Sequence, residues 1–201
     1  MKIQKPMKLV FASNNAHKLS EVRNILSNIE VVSLRDVGFD ADIEETGITL
    51  EENSRLKAAT VWEWLLQNGK SEDCDGVFAD DTGLEIAFLG GQPGVYSARW
   101  AGEPSNDANN RAKALAMLSG IENRSAQFRT VITLVGKNHD LQVDGIVKGQ
   151  IAQEESGEQG FGYDSLFIPD GYSVTFAMLS PSEKNSISHR ARALTALREI
   201  I

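Results

Sequence analysis

Two pairs of adjacent carboxylates, Glu44-Glu45 and Asp80-Asp81, are each followed by a threonine and a glycine, Thr46-Gly47 and Thr82-Gly83. A divalent cation such as magnesium takes carboxylate oxygens together with phosphate and water oxygens. Hydrolysis needs one further carboxylate to accept a proton from the attacking water. Asp80 and Asp81 close a short apolar run, Gly76 to Asp80, that reads as a strand with its carboxyl edge at the acids. Neighbouring strand residues point to opposite faces, so the two aspartates cannot share one role. Each pair reads equally well as a solvated acidic loop in an acidic chain. The segment Ser13-Asn14-Asn15-Ala16-His17-Lys18 carries the opposite charge and lies where a strand hands over to a helix. Backbone N–H groups, the positive helix end and the Lys18 ammonium converge there in a manner suited to phosphate, although an ordinary polar turn has the same composition. No G-x-x-x-x-G-K-[ST] run occurs, which excludes a P-loop, and D-D-T-G lacks the D-x-D-x-T of a haloacid-dehalogenase-type phosphatase.

A second group of residues lies in the carboxyl-terminal half. Gly160-Phe161-Gly162-Tyr163-Asp164 sets two glycines around an aromatic, which lets backbone approach a flat ligand while Phe161 stacks on it; a turn with core aromatics is the alternative. In the last helix Ile187, Ala191, Leu194, Leu197 and Ile201 form an apolar stripe, and Arg190 falls among them. A guanidinium on a buried face demands a partner, either a structural carboxylate or a ligand. Lys184 and His189 add donors nearby.

The elements that must position these groups follow from periodicity. Lys8 to Ser13 reads as a buried strand, Asn14 to His17 as a turn, and Leu19, Val22, Ile25, Leu26 and Ile29 as one face of a helix. A second helix opens at Thr49 with a capping box to Glu52 and runs to Gly69, with Lys57 flanking its apolar stripe. Trp64 falls off that stripe, which places it either at the surface, as a hint of a dimer contact, or at the periphery of the core, the commoner case. A further helix spans Asn106 to Ser119. From Gln127 the chain reads as a long hairpin with a turn at Lys137 to Asp140, then strands near Ser165–Ile168 and Val174–Met178. A final helix starts at Ser180-Pro181-Ser182-Glu183 and continues to the end of the chain. Helices interspersed with strands, followed by hairpins, predict an α/β fold, α+β by a stricter label, with helices packed on a mixed sheet.

The 201 residues, 41% of them hydrophobic, are enough for one domain or two closely joined lobes with a real core. A lone cysteine, Cys74, leaves no internal disulfide and no cysteine-based metal cluster, and no catalytic role is expected of it. A net charge of -8 disfavours a broad grip on nucleic acid or on acidic membranes. No apolar run reaches the length of a signal peptide or a membrane span, so a cytoplasmic location is expected.

Taken in order, A-S-N-N-A-H-K, E-E-T-G-I-T-L-E-E-N-S-R-L-K-A, A-D-D-T-G-L, L-G-G-Q-P-G-V-Y-S-A-R-W, G-F-G-Y-D and S-E-K-N-S-I-S-H-R resemble the inosine-triphosphate pyrophosphatase family, also called the Ham1 or RdgB family. The resemblance covers nearly the whole chain. It implies an elongated mixed sheet flanked by helices, two lobes with a nucleotide groove between them, and a homodimer. The implied activity is magnesium-dependent hydrolysis of non-canonical purine triphosphates (ITP, dITP, XTP) to the monophosphate and pyrophosphate. A non-catalytic nucleotide sensor and a broad nucleotide phosphohydrolase are the alternatives. Matched residue by residue, the triphosphate loop would be Ser13, Asn14, Asn15 and Lys18, with Lys57 assisting. Glu45, Asp80 and Asp81 would hold the metal, Asp81 also being the general base, and Thr82 would contact substrate. The base pocket would comprise Phe161, Gly162, Tyr163, Asp164, Lys184, His189 and Arg190. Asn14 and His17 stand where relatives carry glycine, Ser165 stands where proline commonly follows G-Y-D, and Trp100 replaces a smaller aromatic. Residues 1–6 extend beyond the usual family start.

Overall fold

The computed structural model describes residues 6–201, so most of the amino-terminal extension lies outside the described residues. In chain order the elements are β1 (Lys8–Phe11), α1 (Ala16–Ile25), β2 (Glu30–Ser33), α2 (Leu34–Val37), α3 (Leu50–Gln67), β3 (Gly76–Ile86), β4 (Pro93–Gly94), α4 (Asp107–Met117), β5 (Ser125–Gly136), β6 (Asp140–Ile151), β7 (Phe167–Pro169), α5 (Pro181–Ile187) and α6 (His189–Ile200). The strands form one mixed sheet in the order β2-β1-β3-β5-β6-β7, with β4 paired to β3. β1 runs parallel to β2 and β3, whereas β4 and β7 pair antiparallel with their neighbours. The expected α/β architecture with helices packed on a mixed sheet is therefore present.

The chain divides into two compact units, and it passes between them inside β3, between Asp81 and Thr82. The first unit contains Met1–Asp81, Val131–Asp144 and Ala193–Ile201. Its sheet is covered by helices on both faces, which is why β1 is almost continuously apolar. One face packs Leu9, Phe11 and Phe78 against Val22 of α1, Leu26 that caps it, and Leu194 and Leu197 of α6. The other packs Val10, Val77 and Ala79 against Ala58, Val61 and Leu65 of α3. The second unit, Thr82–Thr130 with Gly145–Arg192, is built around Leu84, Ile86, Phe128, Phe167 and Phe176. Burying each such side chain contributes about 1.5–3 kcal/mol, so these clusters, rather than crosslinks, hold each unit together internally.

Several boundaries differ from the sequence reading. The helix after β1 begins at Ala16 rather than after His17, because the Asn15 side chain accepts the Lys18 N–H at 3.1 Å and caps it. Thr49 caps α3, but the Glu52 carboxylate reaches the Ile48 N–H at 2.7 Å, one residue beyond a capping box. β3 does not stop at the aspartates but runs on to Ile86, where Glu85 and Leu84 pair with β4. Val174–Met178 is not a strand: Phe176–Met178 forms a short 3-10 turn, because its backbone bonds to the loops at Asp164 and Gln159. The last helix is two helices, broken at Ser188, whose backbone is extended (φ -64, ψ 157). Of the two readings of Trp64, packing at the core's periphery is the one found: it is half-buried, edge-on to Phe39 at 5.4 Å beneath the Lys70 ammonium.

Candidate active site

In the first unit, side-chain parity along β3 sorts the two aspartates. Asp80 continues the face of Phe78, towards α1, and Asp81 continues the face of Val77 and Ala79, towards α3. β1 ends at Phe11, with the Ala12 N–H donating to the Phe78 carbonyl at 2.8 Å, so the acids lie just past the carboxyl end of the parallel neighbour. Asp80 accepts from Lys18 Nζ at 3.0 Å. Asp81 Oδ1 accepts from Lys57 Nζ at 2.9 Å, and the same ammonium donates to Glu45 Oε1 at 2.7 Å. Those two carboxylate oxygens are thus no further apart than the two contacts laid end to end.

Asn53, which the sequence reading did not single out, completes this cluster. It lies one helical turn before Lys57 on α3, fully buried, and its Nδ2 is 3.4 Å from Asp81 Oδ2. Its Oδ1 accepts the Gly47 N–H at 2.8 Å, fixing the turn after Glu45. A Cβ at Gly47 would fall 2.6 Å from that Oδ1, so glycine is required there. The available signal was a polar residue on an otherwise apolar stripe, four positions before a lysine. Ser54 secures α3 to the strands, its Oγ lying 2.9 Å from both the Ala79 carbonyl and the Thr133 hydroxyl.

Burial pushes the Asp81 carboxyl above the ordinary aspartate range; Lys57 pulls it back and the neighbouring Glu45 charge pushes it up again. For Lys57, burial disfavours the charged form, but the surrounding Asp81, Glu45 and Asp80 charges outweigh it and the ammonium is held above its usual range. Among the described residues no three acidic or histidine side chains stand close enough together to hold a metal as they are. The lysine ammoniums join the carboxylates instead.

At the amino end of α1, Ser13 Oγ accepts the Asn15 N–H at 3.2 Å, and the Asn15 side chain is occupied in capping. Asn14 is exposed, and none of the described non-glycine residues has positive φ, so the loop needs no left-handed residue at the position where relatives carry glycine. His17 lies on the exposed side of the first turn of α1. Cys74 is buried, and burial pushes its thiol up, in keeping with an inert side chain.

In the second unit, the break at Ser188 is what gathers the basic residues. Lys184 and Arg190 are six positions apart, so on one continuous helix they would point in directions about 120° apart. The extended Ser188 turns the chain, and its Oγ accepts the Ala191 N–H at 3.1 Å to start α6 afresh. Lys184 Nζ then stands 5.1 Å, and the Arg190 guanidinium 5.9 Å, from the centre of the Phe161 ring. Arg190, only 2% exposed, also donates to Thr82 Oγ1 at 3.5 Å. Asp164 Oδ2 accepts both the Phe161 N–H at 2.9 Å and Lys184 Nζ at 2.8 Å, orienting the aromatic and the cation together. His189 lies against Phe128, with ring centres 4.7 Å apart.

Tyr163 does not join this group: its ring is part of the core and its hydroxyl donates to the Ser97 carbonyl at 2.8 Å. Gly162 (φ +61) is gripped from both sides by α4, its N–H donating to Asp107 at 2.8 Å and its carbonyl accepting from Arg111 at 2.9 Å. Glu155 accepts from Arg111 at 2.7 Å and from the Ser165 hydroxyl at 3.0 Å. The serine in place of the family's proline therefore has its own anchor.

The first unit thus gathers three carboxylates and two lysines, and the second sets two cations against one aromatic ring. The chain belongs to the Ham1 family, whose model matches residues 9–200. It is 49% identical over 192 residues to a dITP/XTP pyrophosphatase of Flavobacterium psychrophilum, covering 95% of this chain and 97% of that one. Among solved structures it is similar to a HAM1 protein from Coxiella burnetii (TM-score 0.83, 38% identity, 96% and 98% of the two chains). It is also similar to a nucleoside-triphosphatase, or dITP/XTP pyrophosphatase, from Mycobacterium abscessus (TM-score 0.72, 42% identity, 95% and 98%).

Proposed function

We propose that this protein is a nucleoside-triphosphate pyrophosphatase that hydrolyses non-canonical purine triphosphates, dITP, ITP and XTP, to the monophosphate and pyrophosphate. The single observation that carries the reading is the cluster in which Glu45 and Asp81 share Lys57 while Asp80 pairs with Lys18, found in a chain 49% identical to a dITP/XTP pyrophosphatase.

Glu45, Asp80 and Asp81 offer hard carboxylate oxygens, the donor set that magnesium takes while leaving positions for phosphate and water. When bound, the cation would neutralise charge on the triphosphate. Lys57 and Asn53 hold the Asp81 carboxylate in one orientation, and its raised affinity for protons suits it to accept one from a water aimed at the α-phosphorus. Lys18 and Lys57, released from the carboxylates, serve the phosphates, and alignment plus charge neutralisation is most of what phosphoryl chemistry requires. Phe161 offers its face to the base, with Lys184, His189 and Arg190 as donors around it. Inosine and xanthine present a keto oxygen at position 6, where adenine presents an amino donor, so a donor-lined pocket rejects adenine. Mismatches of this kind discriminate by about 10⁴ when buried groups are left unpaired.

The test is pyrophosphate release from ITP, dITP, XTP, ATP and GTP with and without magnesium, on the wild type and on Asp81→Asn. Magnesium-dependent release from the first three, abolished by the substitution, is expected. Equal release from ATP would favour a broad phosphohydrolase, and no release from any substrate a non-catalytic sensor. The homodimer implied by the family resemblance belongs to the same proposal, with light scattering as its measure.

A further inference from the structure

Thr130 lies fully buried in β5, and no motif of the sequence points to it. Its Oγ1 stands 2.8 Å from Thr82 Oγ1 and 2.6 Å from His189 Nδ1, linking two residues of the proposed substrate site. Each hydroxyl carries one proton, so the direction of such a series is set by its ends. At one end Arg190, which can only donate, approaches Thr82 Oγ1 at 3.5 Å. Thr82 can accept there and turn its own proton to Thr130, which then passes its proton to Nδ1; the opposite order would put a hydrogen on Nδ1 instead. An imidazole that accepts at Nδ1 carries its hydrogen at Nε2. The ring plane is held by Phe128, tilted 32° to it.

We propose that Thr130 is a positioning residue that holds His189 as the Nε2–H tautomer, so that the ring presents a donor to the edge of the bound base. The inference rests on the purine-triphosphate reading only for what that donor meets. A keto oxygen at position 6 accepts it, and an amino group there does not. Guanine shares the keto oxygen, so Thr130 bears on ITP against ATP and not on ITP against GTP.

Two-bond nitrogen–proton correlation spectra of the protein without substrate read the tautomer directly. The wild type is expected to show His189 as the single Nε2–H form. Thr130→Val keeps the shape but removes the hydroxyl, and its His189 is expected to become a mixture of tautomers. Thr130→Ser keeps the hydroxyl and is expected to retain the wild-type pattern. The ratio of kcat/KM for ITP over ATP should fall about tenfold or more in Thr130→Val, the loss of one buried hydrogen bond, and be restored in Thr130→Ser. A wild-type His189 carrying hydrogen at Nδ1 overturns the proposal, whatever the stability of the variants. So does a Thr130→Val protein with an unchanged tautomer and an unchanged ratio. Absence of pyrophosphate release by the wild type would remove the enzymatic reading instead, while the spectra still decide the role of Thr130.

Discussion

Replacing Lys57 by methionine keeps the length and packing of the side chain on α3 but removes the cation that Glu45 and Asp81 share at 2.7 and 2.9 Å. The Asp81 side chain is 10% exposed and that of Glu45 32%, so Asp81 depends the more strongly on the ammonium. Removing one partner of a buried ion pair costs about 3–5 kcal/mol. The partial exposure of Glu45 places this case at the lower end, about 3 kcal/mol. With a urea dependence of about 2 kcal/mol per molar, the unfolding midpoint at neutral pH should drop by about 1.5 M. The pH dependence has a definite sign. Lys57 is held above its ordinary 10.5, so its contribution is complete below that value and disappears as pH rises through the raised one. At the acid end the penalty shrinks as Asp81, already pushed above its ordinary 3.8 by burial, takes up a proton. The assay is urea denaturation across pH, on the single variant and on Lys57→Met with Asp81→Asn. The double variant should recover much of the loss, because it no longer buries an uncompensated charge. A single variant with an unchanged midpoint, or a double variant no more stable than the single one, refutes the reasoning.

Two other outcomes follow from the same contacts. Arg111→Ala frees the Gly162 carbonyl and Glu155 at a partly exposed site, so stability should change by less than about 1 kcal/mol. The KM for ITP should rise severalfold as Phe161 loses its fixed position, and steady-state kinetics beside a denaturation curve separates the two effects. Ser180→Ala removes the hydroxyl hydrogen bond, the larger of the two that hold the Glu183 carboxyl below its ordinary 4.5, and leaves the one from the backbone N–H of residue 180. A depressed carboxyl stabilises above that ordinary value and loses its contribution as pH falls through the folded one. Titration of Glu183 by NMR should therefore move upward in the variant, and its stability should depend less on pH on the acid side.

Local periodicity and end signals were enough to place most of the elements, because an apolar stripe and a cap act within a few residues. β1, α1, α3, α4 and the β5–β6 hairpin all appear within a few residues of their expected bounds. The residue types at Glu45, Asp80, Asp81, Lys18 and Lys57 made the charge chemistry legible, and the order of the motifs marked the family. The tertiary structure decided which carboxylate meets which lysine, because that depends on which helix covers each face of β3. β3 continued through its acids because β4 pairs with it beyond them, a contact that no local pattern announces. Likewise the helix broke at Ser188, where the chain turns to bring Lys184 and Arg190 to one side of Phe161. Thr130 and Arg111 were invisible, and Asn53 showed only as a polar residue on an apolar stripe, for the same reason: a polar side chain acquires its meaning from the partner packed against it, and those partners lie 59, 51 and 28 residues away along the chain.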